Sequence, residues 1–340
     1  MEQKLYEAPA GWLEYCVTAL LAAGVEVLAP TQQEQGLTEF ARVVSPDAVH
    51  LERGNAMVPL KRVFLPPSEV LLEFEKAQGS DVKLLAGPSA PEGEAVVLGC
   101  RPCDAAALGV LDAVFQRDYE DVRYRARRER VTLVTFACTE PDEQCFCTSV
   151  GGSPQDSRWS DVLVFPTDGG GALLQVHTAK GQKFIERLGD LARPAPQGTE
   201  PPAPPGLPHR FGSEKVKKWL DANFESEFWQ EVSLRCIGCG ACSYLCPTCH
   251  CFDMVDEGAW NKGQRRRNWD CCALALFTRH ASGHNPRPNQ AARYRQRVMH
   301  KFKYYPERFG AIACVGCGRC MRACRVGQNL VSILSDIASR

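Results

Sequence analysis

Two cysteine runs with the same spacing lie in the last third of this 340-residue chain. The first reads Cys236-x2-Cys239-x2-Cys242-x3-Cys246-Pro247, and the second reads Cys314-x2-Cys317-x2-Cys320-x3-Cys324. This spacing is typical of bacterial ferredoxins that bind two [4Fe–4S] clusters. Three thiolates on one short loop can bind three irons of a cubane, so each run predicts a cluster site.

The fourth cysteine of each run begins a new segment of chain and is expected to bind the other cluster. The first cluster is therefore assigned to Cys236, Cys239, Cys242 and Cys324. The second is assigned to Cys314, Cys317, Cys320 and Cys246. A zinc site fits less well, because structural zinc prefers two widely separated pairs of ligands, and a disulfide framework fits less well still.

Five further cysteines follow two predicted strands in the first half of the chain: Cys100, Cys103, Cys138, Cys145 and Cys147. The carboxyl ends of neighbouring parallel strands meet at one edge of an open α/β sheet, so these thiols are expected to lie together. Four of them, Cys103, Cys138, Cys145 and Cys147, are the predicted ligands of a third [4Fe–4S] cluster, with Cys100 as the spare. A zinc site and a set of buried, non-ligating thiols remain as alternatives.

The elements that must position these thiols alternate between helix and strand in residues 1–192. Helical periodicity covers residues 12–23 and 104–115, with Asp104 as the expected N-cap. Apolar runs at residues 25–29, 95–99 and 131–137 predict strands, and residues 162–176 predict a hairpin around Asp168-Gly-Gly-Gly171. This order predicts an α/β domain with a partly parallel sheet.

A proline-rich segment at residues 193–208 is expected to be an extended linker. It would separate the α/β domain, residues 1–192, from a mainly α, ferredoxin-like dicluster domain, residues 209–340. Ser213 is expected to cap the first helix of that second domain. An insertion at residues 247–313 separates the two cysteine runs.

The insertion is strongly basic between residues 261 and 303, where eleven Lys or Arg accompany a single acid, Asp270. These cations are interpreted either as a solvated face or as groups that offset cluster charge and dock an acidic partner or a phosphate-bearing cofactor. The spacing of its four cysteines is irregular, which favours a non-ligand role, with a further metal site as the alternative: Cys249, Cys251, Cys271 and Cys272.

Composition limits the class of protein. The formal net charge is +0, which gives no general attraction to nucleic acid. The first residues lack the apolar segment of a signal peptide, and no run of 18 apolar residues predicts a transmembrane helix. A chain with 18 cysteines and no secretion signal is expected to be cytoplasmic and metal-binding.

Nucleotide-binding motifs are missing from the sequence: no G-x-G-x-x-G follows a predicted strand, and no G-x-x-x-x-G-K-[ST] occurs. No catalytic dyad or triad stands out either. The pattern favours an electron-transfer subunit that takes electrons from one partner and gives them to another. The alternatives are a self-contained iron–sulfur reductase with a flavin or sulfur substrate site, and a regulatory iron–sulfur sensor, for which no helix-turn-helix signal is evident.

Four segments also carry a family resemblance: Gly99-Cys-Arg-Pro-Cys-Asp104, Cys145-Phe-Cys147, Cys246-Pro-Thr-Cys-His-Cys-Phe-Asp253, and the stretch from His300 to Cys320. Together they resemble the iron–sulfur beta subunit of cytosolic sulfhydrogenases, which are NAD(P)-linked [NiFe] hydrogenases. They are also similar to the iron–sulfur subunit of anaerobic sulfite reductase.

The resemblance implies a subunit that relays electrons between an FAD-containing, NAD(P)H-oxidising partner and a catalytic hydrogenase or sulfite or sulfur reductase. It maps the family's dicluster cysteines onto the same eight residues. Arg325 departs from the pattern, because the usual proline after the last cysteine is absent. The local turn and the reduction potential are therefore expected to differ there.

Overall fold

Two β-sheets organise the chain, whose computed structural model describes residues 4–34, 36–51, 54–76, 81–89 and 91–340. The strands are β1 (Lys4–Ala8), β2 (Glu26–Gln32), β3 (Thr38–Arg42), β4 (Ser68–Lys76), β5 (Val82–Ala86), β6 (Ala95–Cys100), β7 (Val131–Phe136), β8 (Val162–Pro166), β9 (Ala172–Val176), β10 (Arg193–Pro194), β11 (Phe252–Ala259) and β12 (Lys262–Trp269).

The helices complete the element order. They are α1 (Trp12–Ala22), α2 (Lys61–Phe64), α3 (Pro102–Phe115), α4 (Val122–Arg130), α5 (Ala179–Leu188), α6 (Ser213–Ala222), α7 (Phe228–Ser233), α8 (Ala241–Tyr244), α9 (Gln290–Met299), α10 (Tyr305–Phe309), α11 (Arg319–Arg322) and α12 (Leu330–Ser339). A π-helical turn, His300–Tyr304, joins α9 to α10. Among the described residues, no helix has the length and apolar character needed to cross a membrane.

The larger sheet is mixed, with the order β10-β1-β9-β8-β7-β6-β2-β3 in the described part of the chain. Strands β2, β6, β7 and β8 run parallel to one another, and the outer pairs are antiparallel. All six residues of β6 are buried, as expected for a central parallel strand covered on both faces. The predicted α/β character with a partly parallel sheet is confirmed.

Helices cover both faces of this sheet. Side chains of α1 and α5 pack on one face with the inward residues of β2, β7, β8 and β9. Side chains of α3 and α4 pack on the other face. Cys16 lies within the first of these cores, where burial raises the pKa of its thiol to about 12, so it serves as a small packing residue.

Two predicted helix starts are wrong by one to three residues. Helix α3 begins at Pro102, before Asp104, because the fixed φ of proline suits the first helical position. Asp104 instead accepts a hydrogen bond at Oδ2 from the backbone N–H of Arg101, at 3.3 Å. Helix α6 begins at Ser213 itself, with Gly212 as its N-cap.

The smaller sheet joins residues from both halves of the chain, in the order β11-β12-β4-β5. The hairpin β11–β12 comes from the insertion, and β12 pairs antiparallel with β4. The proline-rich segment starts as β10, which pairs with β1, and later accepts hydrogen bonds from Gln155 and Thr148 at the carbonyls of Pro202 and Pro208. The division of the chain into two domains stays a prediction.

Candidate iron–sulfur centres

The four cysteines assigned to the first cluster line one cavity of ≈ 530 Å³, together with Cys320 of the second run. Two glycines turn the loop that carries three of these thiols. Gly238 and Gly240 have φ of 68° and 77°, left-handed values that cost other residues energy. Donors already point at the sulfurs: Gln290 Nε2 lies 3.1 Å from Cys236 Sγ, and the backbone N–H of Gln328 lies 3.2 Å from Cys324 Sγ.

The second set gathers around a buried lysine. Lys301 donates from Nζ to Cys246 Sγ at 3.2 Å, and also to Thr248 Oγ1 and to the carbonyl of Ala313. The thiol of Cys249 donates to Cys246, and this hydrogen bond, aided by the Lys301 charge, holds the pKa of Cys246 well below its usual range. A thiolate at this position is the form that binds iron.

The remaining thiols of the second set lie near Cys246. Burial raises the pKa of Cys314 to about 12, and the charges of Cys246 and Cys320 add to that effect. Cys246 and Cys317 act in the same direction on the pKa of Cys320. All four predicted ligands of the second cluster are thus close enough to interact electrostatically.

A third cavity, of ≈ 450 Å³, is lined by Cys103, Cys138, Cys145, Cys147 and Cys317. The thiols come from the start of α3, from the residues after β7 and from the loop that follows. Cys100, the predicted spare, lies in the core of the sheet with its Sγ 3.3 Å from Thr135 Oγ1. The sheet edge therefore gathers the four thiols that strand order predicted.

Two residues that line the third cavity were not predicted from the sequence. Asn55 donates from Nδ2 to the carbonyl of Cys317 at 3.0 Å and lies 3.7 Å from Cys103 Sγ. Arg101 donates to the carbonyl of Ala137 at 3.0 Å, which holds the two strand ends together. Arg101 could have been found from its place between Cys100 and Cys103, whereas nothing local marks Asn55.

The second cysteine loop packs directly on the third cavity. The backbone N–H of Phe146 donates to the carbonyl of Gly316 at 2.8 Å. Gly316 has a φ of 63°, and a Cβ there would lie 2.4 Å from the backbone nitrogen of Cys147. A side chain at position 316 would separate the two loops, so the glycine permits their close approach.

Buried cations show that these sites fit an anionic group. Arg297 and Lys301 are 5% and 3% exposed, and within the described residues no carboxylate lies within salt-bridge distance of either. An isolated buried charge is costly, so a counter-charge must be near. Although burial lowers the pKa of Lys301, the negative charge of the Cys246 thiolate raises it overall. Thiolates, or clusters that they bind, provide that counter-charge.

Ion pairs within the chain change the interpretation of the basic insertion. Arg267 is 4% exposed and is paired with Glu69 and Asp121, so it holds the smaller sheet to α4 and cannot form part of a docking face. Arg265 pairs with Asp256 across the hairpin at 2.7 Å. Several of the eleven cations are therefore used within the chain.

The cavities favour a polynuclear group over a single ion. A tetrahedral zinc site needs sulfur atoms about 2.3 Å from the metal. In the parts of the chain that the structure describes, no three His, Cys, Asp or Glu side chains converge closely enough to hold one metal ion. The thiols instead line the walls of open cavities.

Two comparisons with known proteins agree with this geometry. A family of proteins described as having a 4Fe-4S dicluster domain matches residues 235–328, which contain both cysteine runs. The chain is also 28% identical, over 308 residues, to sulfhydrogenase 2 subunit beta of Pyrococcus furiosus, and the match covers 88% of each protein. The chain is thus a homologue of a sulfhydrogenase beta subunit and carries a 4Fe-4S dicluster domain, as its motifs predicted.

Proposed function

We propose that this chain is the electron-transfer subunit of an oxidoreductase complex and binds three [4Fe–4S] clusters. The ligand sets are those predicted from the sequence: Cys236, Cys239, Cys242 and Cys324; Cys314, Cys317, Cys320 and Cys246; and Cys103, Cys138, Cys145 and Cys147. Each cluster, when bound, would accept and release one electron. The first and second sets would be held in a mainly α, ferredoxin-like domain, residues 209–340, and the protein would be cytoplasmic.

One observation carries the proposal: a single loop serves three sites. Cys317 lines the third cavity and Cys320 lines the first, while both belong to the second ligand set. The sites therefore adjoin one another in the order third, second, first. A row of adjoining redox sites is what a relay requires, whereas a lone catalytic centre has no need of it.

Both ends of the row approach the surface. Cys239 is exposed, and the neighbouring Ile237 is 67% exposed. At the other end, an open groove of ≈ 1320 Å³ runs past Cys103, Cys147 and Cys314. A relay needs one accessible end for the electron donor and another for the acceptor.

The homologue supports a role for this chain within a larger complex. Its name denotes one subunit of a sulfhydrogenase. We infer that this chain receives electrons from a partner that contains FAD and oxidises NAD(P)H, and that it passes them to a catalytic hydrogenase or to a sulfite or sulfur reductase. The absence of a dinucleotide motif from the sequence supports a separate flavin subunit.

Reduction of the purified, reconstituted chain under anaerobic conditions tests the proposal. Dithionite should bleach its visible absorption, whereas NAD(P)H alone should not. Adding the FAD-bearing partner should allow reduction by NAD(P)H, and the catalytic partner with its oxidant should then restore the oxidised spectrum. Tight binding of FAD or NAD(P)H to the isolated chain, followed by direct reduction, would instead identify a self-contained reductase.

A further inference from the structure

A fourth cavity, of ≈ 550 Å³, opens beside the second ligand set. Three cysteines from the insertion line it: Cys249, Cys251 and Cys272. These cysteines are irregularly spaced in the sequence but lie together at one cavity.

The hairpin β11–β12 explains how distant cysteines meet. Phe252 pairs with Trp269 at its base, and the backbone N–H of Asp270 donates to the carbonyl of Cys251 at 3.0 Å. The residues just before β11 and just after β12 are thereby held side by side. Cys251 and Cys272 are such residues, so the hairpin holds these two cysteines near each other.

Cys271 and Cys272 are adjacent in the chain, but only Cys272 lines the fourth cavity. Cys271 is 1% exposed, and a Cβ built on Gly240 would lie 3.0 Å from its Sγ, which places it behind the loop of the first cluster. Cys272 lines the fourth cavity. This difference supplies a matched control one residue away from a proposed ligand.

Positive side chains surround the fourth cavity. Arg287, Arg297 and Lys301 line it, and Lys61 donates from Nζ to the carbonyl of Cys249 at 2.9 Å. The Nε of Arg297 is buried and has no hydrogen-bond partner within the described residues. An unsatisfied buried donor of a charged group costs free energy, and an anionic group in the cavity would remove that cost.

Two imidazoles complete the lining. His250 and His300 have ring centroids 5.3 Å apart, and both line the cavity. His250 Nδ1 lies 3.0 Å from the carbonyl of Thr248. Because a carbonyl only accepts, this nitrogen carries the proton and Nε2 keeps its lone pair, the arrangement usual for a metal-bound histidine.

We propose that the fourth cavity binds an additional [4Fe–4S] cluster through the thiolates of Cys249, Cys251 and Cys272, with its fourth iron at the His250–His300 pair. Thiolates are the usual ligands of [4Fe–4S] clusters, and imidazoles replace two thiolates on one iron of Rieske [2Fe–2S] centres. The site adjoins the second set, because Cys249 lies next to Cys246 in space. Arg297 lines both this cavity and the first, so the site forms a branch of the proposed relay.

Iron analysis of the full chain, reconstituted anaerobically with iron and sulfide, tests this site. Cys251→Ala and Cys272→Ala should each lose about four irons and four sulfides relative to the wild type. Each should also lose one EPR signal of the dithionite-reduced protein. Cys271→Ala should keep the wild-type values. Equal iron and sulfide in all four proteins would overturn the proposal, as would loss of a single zinc ion from the two variants.

A second measurement covers the case in which the thiol variants fail to fold. In a Cys138→Ser chain, which lacks the third site by design, about twelve irons are expected, and about eight would overturn the fourth site. The result is independent of the relay partners and of the third cluster. A chain with both His250→Ala and His300→Ala should show altered g values in one signal, and an unchanged spectrum would overturn the imidazole assignment.

Discussion

Arg319 and Asp104 form a buried ion pair, with Arg319 donating from a terminal guanidinium nitrogen to Asp104 Oδ1 at 2.7 Å. Their side chains are 0% and 1% exposed, and the residues lie 215 positions apart in the chain. Asp104 belongs to the first turn of α3 beside Cys103, and Arg319 lies between Cys317 and Cys320. The pair therefore fixes the second cysteine loop against the third cavity.

Replacing Asp104 by Asn should destabilise the protein, because it leaves the Arg319 cation buried without its carboxylate. Breaking one side of a buried ion pair costs about 3–5 kcal/mol. The thermal unfolding midpoint of the reconstituted chain, measured anaerobically at a fixed scan rate, should fall accordingly. Asp118→Asn, which removes an exposed pair with Arg308, serves as the control and should leave the midpoint unchanged. Equal midpoints for both variants would contradict the structural role of the pair.

The proposed crosswise ligation of the two clusters predicts which EPR signal a Cys324→Ser change removes. Cys324 lines the same cavity as Cys236, Cys239 and Cys242. The EPR spectrum of the reduced Cys324→Ser variant should therefore match that of Cys239→Ser and differ from that of Cys317→Ser. A spectrum that matched Cys317→Ser would show that the last cysteine binds the cluster next to it in sequence.

The third site predicts different iron contents for variants of two cysteines at the ends of adjacent strands. Cys138→Ser should lose about four irons per chain, since Cys138 lines the third cavity. Cys100→Ser should retain them, because Cys100 packs in the sheet core beside Thr135. The full chain is the right material, since β4 and β5 need β12 to complete their sheet. Full iron content in Cys138→Ser would favour buried, non-ligating thiols.

Lys301 should raise the reduction potential of the second cluster. Its Nζ donates to Cys246 Sγ at 3.2 Å, and a cation beside a ligand sulfur favours the more negative, reduced state. Lys301→Met should lower that potential by roughly 60 mV, the one-electron equivalent of about 1.4 kcal/mol, in an EPR-monitored redox titration. Lys303→Met, which removes a pair with Asp221, should shift it little. A Lys301→Met potential equal to that of Lys303→Met would exclude this role.

His177 should make stability depend on pH below neutrality. Burial lowers its pKa, and the nearby Asp161 charge opposes this only in part. The unfolded chain then binds more protons than the folded chain below pH about 6.5. The His177 contribution is complete above that pH and is lost as the pH falls through the folded pKa. His177→Asn should reduce the drop in unfolding midpoint between pH 7.5 and 5.5, whereas the exposed His209→Asn should not. An unchanged drop would refute the prediction.

The local spacing of residues was enough to predict the two cysteine loops and the sheet edge where further thiols gather. The ligands of each cysteine run lie within a few residues of one another, so chain geometry alone restricts what they can bind. The strand and helix patterns around Cys103 and Cys138 were also local, and the sheet confirms their parallel order. The third set could be predicted for the same reason, because strand order places the carboxyl ends of parallel strands at one edge of the sheet.

Tertiary packing decided what local patterns could not. The fourth cavity needs the hairpin β11–β12 and the π-helical turn to bring Cys251, Cys272 and His300 together, and no spacing rule encodes that meeting. The Arg319–Asp104 pair and the burial of Arg267 likewise join residues more than a hundred positions apart. In sequence, a lysine or arginine is only a charge. Whether it faces solvent, a carboxylate or a thiolate depends on which distant segment packs against it, and hence on the whole fold.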